Sequence, residues 1–196
     1  MIIHHLPLVV EFLGTPEAGK TTTIHRLEKV LSNKYRTLIN QESAELLPTV
    51  FKKGSLEANF WMRLKTFQSL LEKQVSKNKY DILLIDRGLV DAFFWDFFYK
   101  NTGIITSNQV KYTNTFIKNI GLEIPNLVVI LTTTPEEALR RRGGEGRIVT
   151  MDFLKDFNHL LHSFKETIPC PSFYLDTTGI SNDEVIDILL KEFEKI

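Results

Sequence analysis

The chain has 196 residues, a length that fits one domain and a core buried without disulfide or metal support. It is 43% hydrophobic, 24% charged and 11% aromatic, and 24 Lys and Arg balance 24 Asp and Glu, so no net charge draws it to nucleic acid or to an anionic membrane. One cysteine, Cys170, excludes an internal disulfide framework; no apolar run is long enough to span a bilayer, and the basic region of a secretory signal is missing, so a cytoplasmic location is expected.

Short apolar runs alternate with longer amphipathic ones. Leu8–Leu13 reads as a first strand and Lys20–Leu31 as the helix after it. Tyr35–Gln41, less apolar and so nearer an edge, is the second strand. Ser55–Val75 follows as a helix, with a core stripe expected at Phe60, Leu64, Phe67 and Leu71. Tyr80–Ile85 is the third strand, followed by helices over Leu89–Tyr99 and Gln109–Ile120. Asn126–Leu131 is the fourth, followed by Pro135–Arg142 and Met151–Phe164. Ser172–Leu175 is the fifth, and Asp183–Phe193 closes the chain behind Ser181 and Asn182 as cap candidates. Strand–helix alternation implies a parallel sheet covered by helices on both faces, with ligands at the carboxyl ends of the strands.

Gly14-Thr15-Pro16-Glu17-Ala18-Gly19-Lys20-Thr21 fits the phosphate-loop pattern G-x-x-x-x-G-K-[ST] between a strand and a helix. Such a loop wraps phosphate in backbone N–H groups, and the helix behind it adds the positive end of its dipole. Lys20 would reach the β- and γ-phosphates and the Thr21 hydroxyl would hold Mg²⁺. Thr22 opens the same helix. Two GTPase-like matches, Asn78–Asp81 and Asp176–Gly179, stand in the wrong order along the chain and are discounted.

The third strand ends in Asp86-Arg87-Gly88. A carboxylate there lies beside the phosphate loop, where Mg²⁺ sits, and Arg87 can meet phosphate bidentately. Further on, Arg140, Arg141 and Arg142 run into Gly143-Gly-Glu-Gly and then Arg147. Arginines on a closing segment, about residues 138–150, would neutralise the charge that phosphoryl transfer spreads and would exclude water.

Taken in order, the phosphate loop, the Asp-Arg strand end and the arginine lid resemble the nucleoside and nucleoside-monophosphate kinases, the thymidylate and deoxynucleoside kinases above all. The resemblance implies a three-layer αβα P-loop NTPase fold over residues 1–196, a five-stranded parallel sheet of order 2-3-1-4-5 and an arginine-rich lid. It also implies that Lys20 contacts phosphates, Asp86 acts at the metal, Arg87 contacts substrate or phosphate, and Arg140, Arg142 and Arg147 are lid arginines. The Asp176–Ser181 loop, Thr177 included, would lie against adenine. The run Asp86-Arg-Gly-Leu-Val-Asp91 with its aromatics is also similar to small predicted P-loop ATPases related to nicotinamide riboside kinase domains. Two departures stand out. Glu17 occupies a loop position where these kinases carry Gly or Arg, and is expected to pair with Arg142 or Arg147. Gly88 replaces their usual Tyr or Ser.

On the acceptor side, Glu42 follows strand two. Either it takes a proton from an attacking hydroxyl, as the similar deoxynucleoside kinases suggest, or it begins the next helix as a capping acid. Glu45 is a second candidate. Trp61, Lys65 and Gln68 form a stripe that could stack on and read a base, and Arg63 shares their helix. Phe93–Tyr99 is read chiefly as core, with a substrate-pocket wall or a homodimer interface as the other uses. These readings combine into an ATP- and Mg²⁺-dependent phosphotransferase, with GTP as an alternative donor. Its acceptor is a small molecule, a nucleoside or nucleoside monophosphate first and another hydroxylated metabolite or antibiotic second. The rival is a nucleotide-dependent switch without an acceptor.

Overall fold

In the computed structural model, residues 3, 5–53, 55–146 and 148–196 are described. Five parallel strands run in the order β2-β3-β1-β4-β5: β1 Leu8–Gly14, β2 Thr37–Asn40, β3 Ile82–Asp86, β4 Leu127–Thr132 and β5 Ser172–Asp176. Among the described residues seven α-helices surround them: α1 Lys20–Leu31, α2 Leu56–Gln74, α3 Leu89–Asn101, α4 Ser107–Asn119, α5 Pro135–Arg142, α6 Met151–Phe164 and α7 Asn182–Phe193. This is the three-layer αβα architecture, with the expected strand order.

The period of two along β1 sorts the layers. Leu8, Val10 and Phe12 point to α1 and α7, where they meet Ile24, Leu27, Leu189 and Phe193. On the other face Leu13 joins an aromatic cluster of Phe94, Phe98, Phe157 and Phe164 from α3 and α6. Phe94 packs edge-on against Phe157 at 4.8 Å and Phe164 at 5.4 Å, so the aromatic run builds core. β2 is an edge, as its polarity suggested. β5 is the other edge, with every second residue exposed.

Helix starts follow their chemistry. Ser55, Thr106, Thr134, Thr150 and Ser181 each accept a first-turn N–H, and Thr106 and Ser181 form full capping boxes. The expected core stripe of α2 holds at Phe67 and is corrected at Phe60 and Leu64. Phe60 and Leu64 are exposed, whereas Ala58, Thr66, Phe67 and Leu70 are buried. Polar residues turn inward because they have partners there: Thr66 bonds Ser43 at 2.7 Å, Arg63 pairs with Asp96 at 2.7 Å, and Ser69 bonds Asn40. A helix whose polar flank faces a site breaks the amphipathic rule.

Candidate active site

The carboxyl ends of β1, β3 and β4 converge, and the phosphate loop leaves β1 there. Gly14 is required: a Cβ would stand 1.8 Å from the Leu131 carbonyl oxygen, at φ +141°. Thr15 N donates to that same carbonyl at 3.0 Å, and Thr15 Oγ1 reaches Asn158 of α6 at 2.6 Å. Gly19 takes φ +87° where α1 begins. Pro16 and Ala18 lie between, Ala18 buried. Glu17 is exposed and holds φ +63°, a left-handed conformation that glycine adopts without strain.

Lys20 is buried beneath the loop and donates to the carbonyls of Gly14 at 3.0 Å and Thr15 at 2.8 Å. Burial, and next the Arg87 charge, push its pKa down to about 7. Thr21 donates to Asp86 Oδ2 at 2.6 Å. Burial raises the Asp86 pKa against that hydrogen bond, and Asp86 Oδ1 is buried without a partner. A hydroxyl in contact with a half-satisfied carboxylate fits Mg²⁺, which takes one or two protein oxygens and completes its shell with water and phosphate. Among the described residues no cluster of three or more His, Cys, Asp or Glu forms a larger metal cage. Thr22 faces the open side of the loop.

Arg87 follows Asp86 at φ +59°. Its guanidinium lies 2.8 Å from Glu42 and 3.2 Å from Asp91. Burial alone would lower its pKa, but Asp91, Glu42 and Asp86 together raise it. Glu42 stands at the start of a short 3-10 turn, Ser43–Leu46, yet makes no capping hydrogen bond; its carboxylate turns to Arg87 instead. Glu45 is exposed on that turn.

Beyond this pair a cleft opens between α2 and α3, lined by Asn59, Arg63, Thr66, Asp91 and Trp95 together with Glu42 and Arg87. Arg63 and Asp96 form a nearly inaccessible ion pair, side chains 9% and 4% exposed. Arg63 Nη1 and Asp96 Oδ2 remain buried without partners. Burial raises the pKa of Asp96 against Arg63, and of Asp91 against Arg87. Trp61 and Gln68 are not among the residues that line this cleft. Trp61 packs beside Phe51, ring centres 6.0 Å apart; Gln68 bonds Glu72 and Lys65 in a separate depression. The aromatic at the cleft is Trp95.

On the other side of the loop the three arginines of α5 diverge, since successive helix residues turn by about 100°. Arg140 forms a bidentate pair with Glu137 and borders a groove with Gly179, Ile180 and Asn182. Arg142 lies 3.2 Å from Glu17, one of the two pairings expected. Arg147 lies outside the described residues. Arg141, absent from the sequence candidates, ties the region together: it donates to the Glu17 carbonyl at 3.2 Å, to Thr177 Oγ1 at 3.1 Å and to the Thr177 carbonyl at 2.7 Å. Thr177 itself is buried, its hydroxyl 2.9 Å from the Thr132 carbonyl and 3.2 Å from that of Ala18, so it braces the loop from behind.

The sequence reading also missed Glu11. It is fully buried in β1, and its carboxylate accepts from the N–H groups of Gly88, Val90 and Asp91 at 3.0, 3.1 and 2.7 Å. Burial outweighs these bonds and pushes its pKa up to about 7. An acid inside the apolar run Leu8–Leu13 was the available signal.

No protein-family model matches the chain, and no curated protein matches it in sequence. Solved structures do. Deoxyadenosine kinase from M. mycoides with the products dCMP and dCDP bound aligns at a TM-score of 0.74 and 17% identity, over 96% of this chain and 100% of that one. The same enzyme with bound dATP aligns at 0.71 and 18% identity, over 94% and 98%. Thymidylate kinase from Candida albicans aligns at 0.72 and 17% identity, over 96% and 91%. The chain therefore has the fold of these kinases.

Proposed function

We propose that this chain is a P-loop kinase that uses Mg²⁺ and ATP, with GTP as an alternative donor, to phosphorylate a hydroxyl of a small molecule, a nucleoside before a nucleoside monophosphate. One observation carries the reading. Glu42 and Arg87 line both the cavity over the phosphate loop and the cleft between α2 and α3. A donor in the first and an acceptor in the second would meet at that pair. The fold shared with nucleoside and thymidylate kinases supports it.

The acceptor preference follows from charge. The cations facing the cleft are already paired: Arg87 with Glu42 and Asp91, Arg63 with Asp96. Lys65 turns away to Gln68. A dianionic monophosphate would meet three carboxylates against two arginines, whereas a neutral sugar and base would not.

In this reading the chain's residues position and neutralise. Thr21 and Asp86 would hold Mg²⁺, which supplies charge neutralisation on the donor phosphates. Lys20 leaves its loop carbonyls for phosphate oxygens. Glu42 takes the proton of the acceptor hydroxyl, and Arg87 steadies the developing charge beside it. The segment 138–150 acts as a lid over a single kinase-like domain, with Arg140, Arg142 and Arg147 on it and Arg141 as its hinge-side anchor. A cytoplasmic setting suits the single cysteine.

The test is transfer of labelled γ-phosphate from ATP across nucleosides, nucleoside monophosphates, nicotinamide riboside and hydroxylated antibiotics, with Lys20→Ala as the control. We expect labelled nucleoside, at least about tenfold ahead of its monophosphate in kcat/KM, and no label with the variant. Hydrolysis of ATP with no labelled acceptor would overturn the kinase reading in favour of a switch.

A further inference from the structure

The residues that touch the acceptor cleft from α3 depend on a residue that touches neither substrate. We propose that Glu11 is a positioning residue for phosphoryl transfer, its carboxylate fixing from inside the sheet the backbone turn that presents Arg87 and Asp91 to the cleft. This rests on reading the cleft as the acceptor site.

The first turn of a helix leaves N–H groups without partners, and a side chain just ahead of the helix usually takes one. The residue ahead of α3 is Gly88, which has no side chain to offer. The need is met from 77 to 80 residues away. Glu11 Oε1 accepts from Gly88 and Asp91, and Oε2 accepts from Val90. Three bonds from one rigid strand to consecutive parts of one turn set both its height over the sheet and its rotation. Arg87 immediately precedes this turn in a backbone conformation L-residues rarely adopt, φ +59°, which needs support on both sides. On the other side its N–H is held by the Phe12 carbonyl at 3.0 Å, the residue after Glu11. Two successive residues of β1 therefore hold the strained Arg87.

The same carboxylate explains the departure at position 88. A Cβ on Gly88 would lie 2.7 Å from Glu11 Oε2, 2.8 Å from its Cδ and 2.8 Å from Ile85 Cγ2. The Tyr or Ser of the similar kinases has no room here. Glu11 and Gly88 form a matched pair, one filling the space the other vacates. Packing alone would be served by an aliphatic residue such as the neighbouring Leu13, without the burial of a carboxylate.

The experiment compares wild type, Glu11→Gln and Glu11→Leu as full-length proteins. It reads hydrogen exchange at the amides of 88, 90 and 91, binding of a fluorescent ATP analogue, and kcat and KM for ATP and for the labelled acceptor. For Glu11→Leu we expect exchange at those amides to rise by about tenfold or more. Acceptor kcat/KM should fall by about ten- to a hundredfold while ATP binding stays within about threefold. Glu11→Gln keeps the shape and at least one acceptor oxygen, so it should recover part of both losses. If Glu11→Leu does not fold, Glu11→Gln alone decides, with the acceptor and ATP parameters expected to separate in the same sense. Unchanged exchange, acceptor kinetics within about twofold of wild type, or ATP and acceptor parameters falling together would each overturn the proposal. Wild-type protein that labels no acceptor, with the exchange difference present, would instead overturn the kinase reading, and the catalytic role of Glu11 with it.

Discussion

Glu17 is the residue at which the loop's geometry and its electrostatics can be separated. It holds φ +63° and lies 3.2 Å from Arg142, with both side chains more than a third exposed. Glu17→Gly relieves a left-handed conformation worth roughly 1–2 kcal/mol. Against this stand glycine's entropy, about 0.5–1 kcal/mol, and the loss of an exposed ion pair, about 0–1 kcal/mol. Stability should therefore stay within about 1 kcal/mol of wild type. Nucleotide affinity should not stay put. A carboxylate ~7 Å from a bound phosphate charge would, at an effective dielectric of ~40, repel it by about 1 kcal/mol, or roughly fivefold in Kd. Removing it also frees Arg142 for the phosphates, which acts in the same direction. Titration of MgATP with Glu17→Gly should thus show roughly fivefold tighter binding, shrinking as salt is raised. Glu17→Gln keeps the backbone strain but removes the charge, and should show the same gain in affinity. An affinity unchanged in both variants at low and high salt would refute the argument and leave the Arg142 pairing without weight. A gain in Glu17→Gly alone would assign the effect to backbone freedom.

Four further outcomes are expected. Arg63→Met leaves Asp96 buried and unpaired, and should lower unfolding stability in urea by about 3–5 kcal/mol; a loss below about 1 kcal/mol would mean that water reaches the pair. Gln68→Ala should leave acceptor kcat/KM within about twofold, since Gln68 opens onto a separate depression, and a tenfold loss would move the acceptor site. Arg141→Ala unties the loop from Thr177 and should weaken ATP binding by about tenfold with a stability loss of about 1–2 kcal/mol, seen by nucleotide titration and thermal melting; unchanged binding would make that tie structural only. Because burial raises the Glu11 pKa from 4.5 to about 7, the folded chain holds that proton where the unfolded chain has lost it, so stability should decline as pH rises from about 4.5 to 7, and Glu11→Gln should flatten that slope in pH-dependent denaturation.

What could be read from the sequence was whatever depends on local pattern. Helices α1, α5 and α6 began and ended where period and caps put them, and the strand order followed from the resemblance. The phosphate loop and the Asp86–Thr21 contact needed only a spacing and a strand end. The failures share a cause. On α2, a flank of Asn59, Arg63 and Thr66 that turns to the cleft does not look inward-facing, because the partners Asp96 and Ser43 come from elsewhere in the chain. Phe60 and Leu64 supplied a more apolar stripe and faced solvent. On α5, finding that Arg141 ties the loop required knowing which helix face meets Thr177, a residue 36 positions away. Glu11 acts on a turn 77 residues distant, and nothing near it in sequence names the partner.

The distribution of paired and unpaired charge is the strongest argument for direction in this site. Around the phosphate loop, Lys20 hydrogen-bonds only neutral carbonyls and Arg142 meets one half-exposed glutamate, while Arg140 is held bidentately by a glutamate on its own helix. Under the proposed reading the Lys20 and Arg142 contacts would be exchanged for phosphate at a smaller cost than a buried ion pair, because their present partners are uncharged or solvent-screened. Around the cleft the opposite holds. Arg87 and Arg63 sit among carboxylates that are themselves buried, and separating either pair would strand a charge in a low-dielectric interior. A second polyanion entering there would have to break what the fold holds together. The two cavities meet at Glu42 and Arg87, so under the proposed reading charge would enter from one side and an uncharged hydroxyl from the other. That asymmetry ties the acceptor preference to the same ion pairs that stabilise the fold: a variant that accepts monophosphates should first need a carboxylate removed from the cleft, at Asp91 or Asp96, and should lose stability in gaining it.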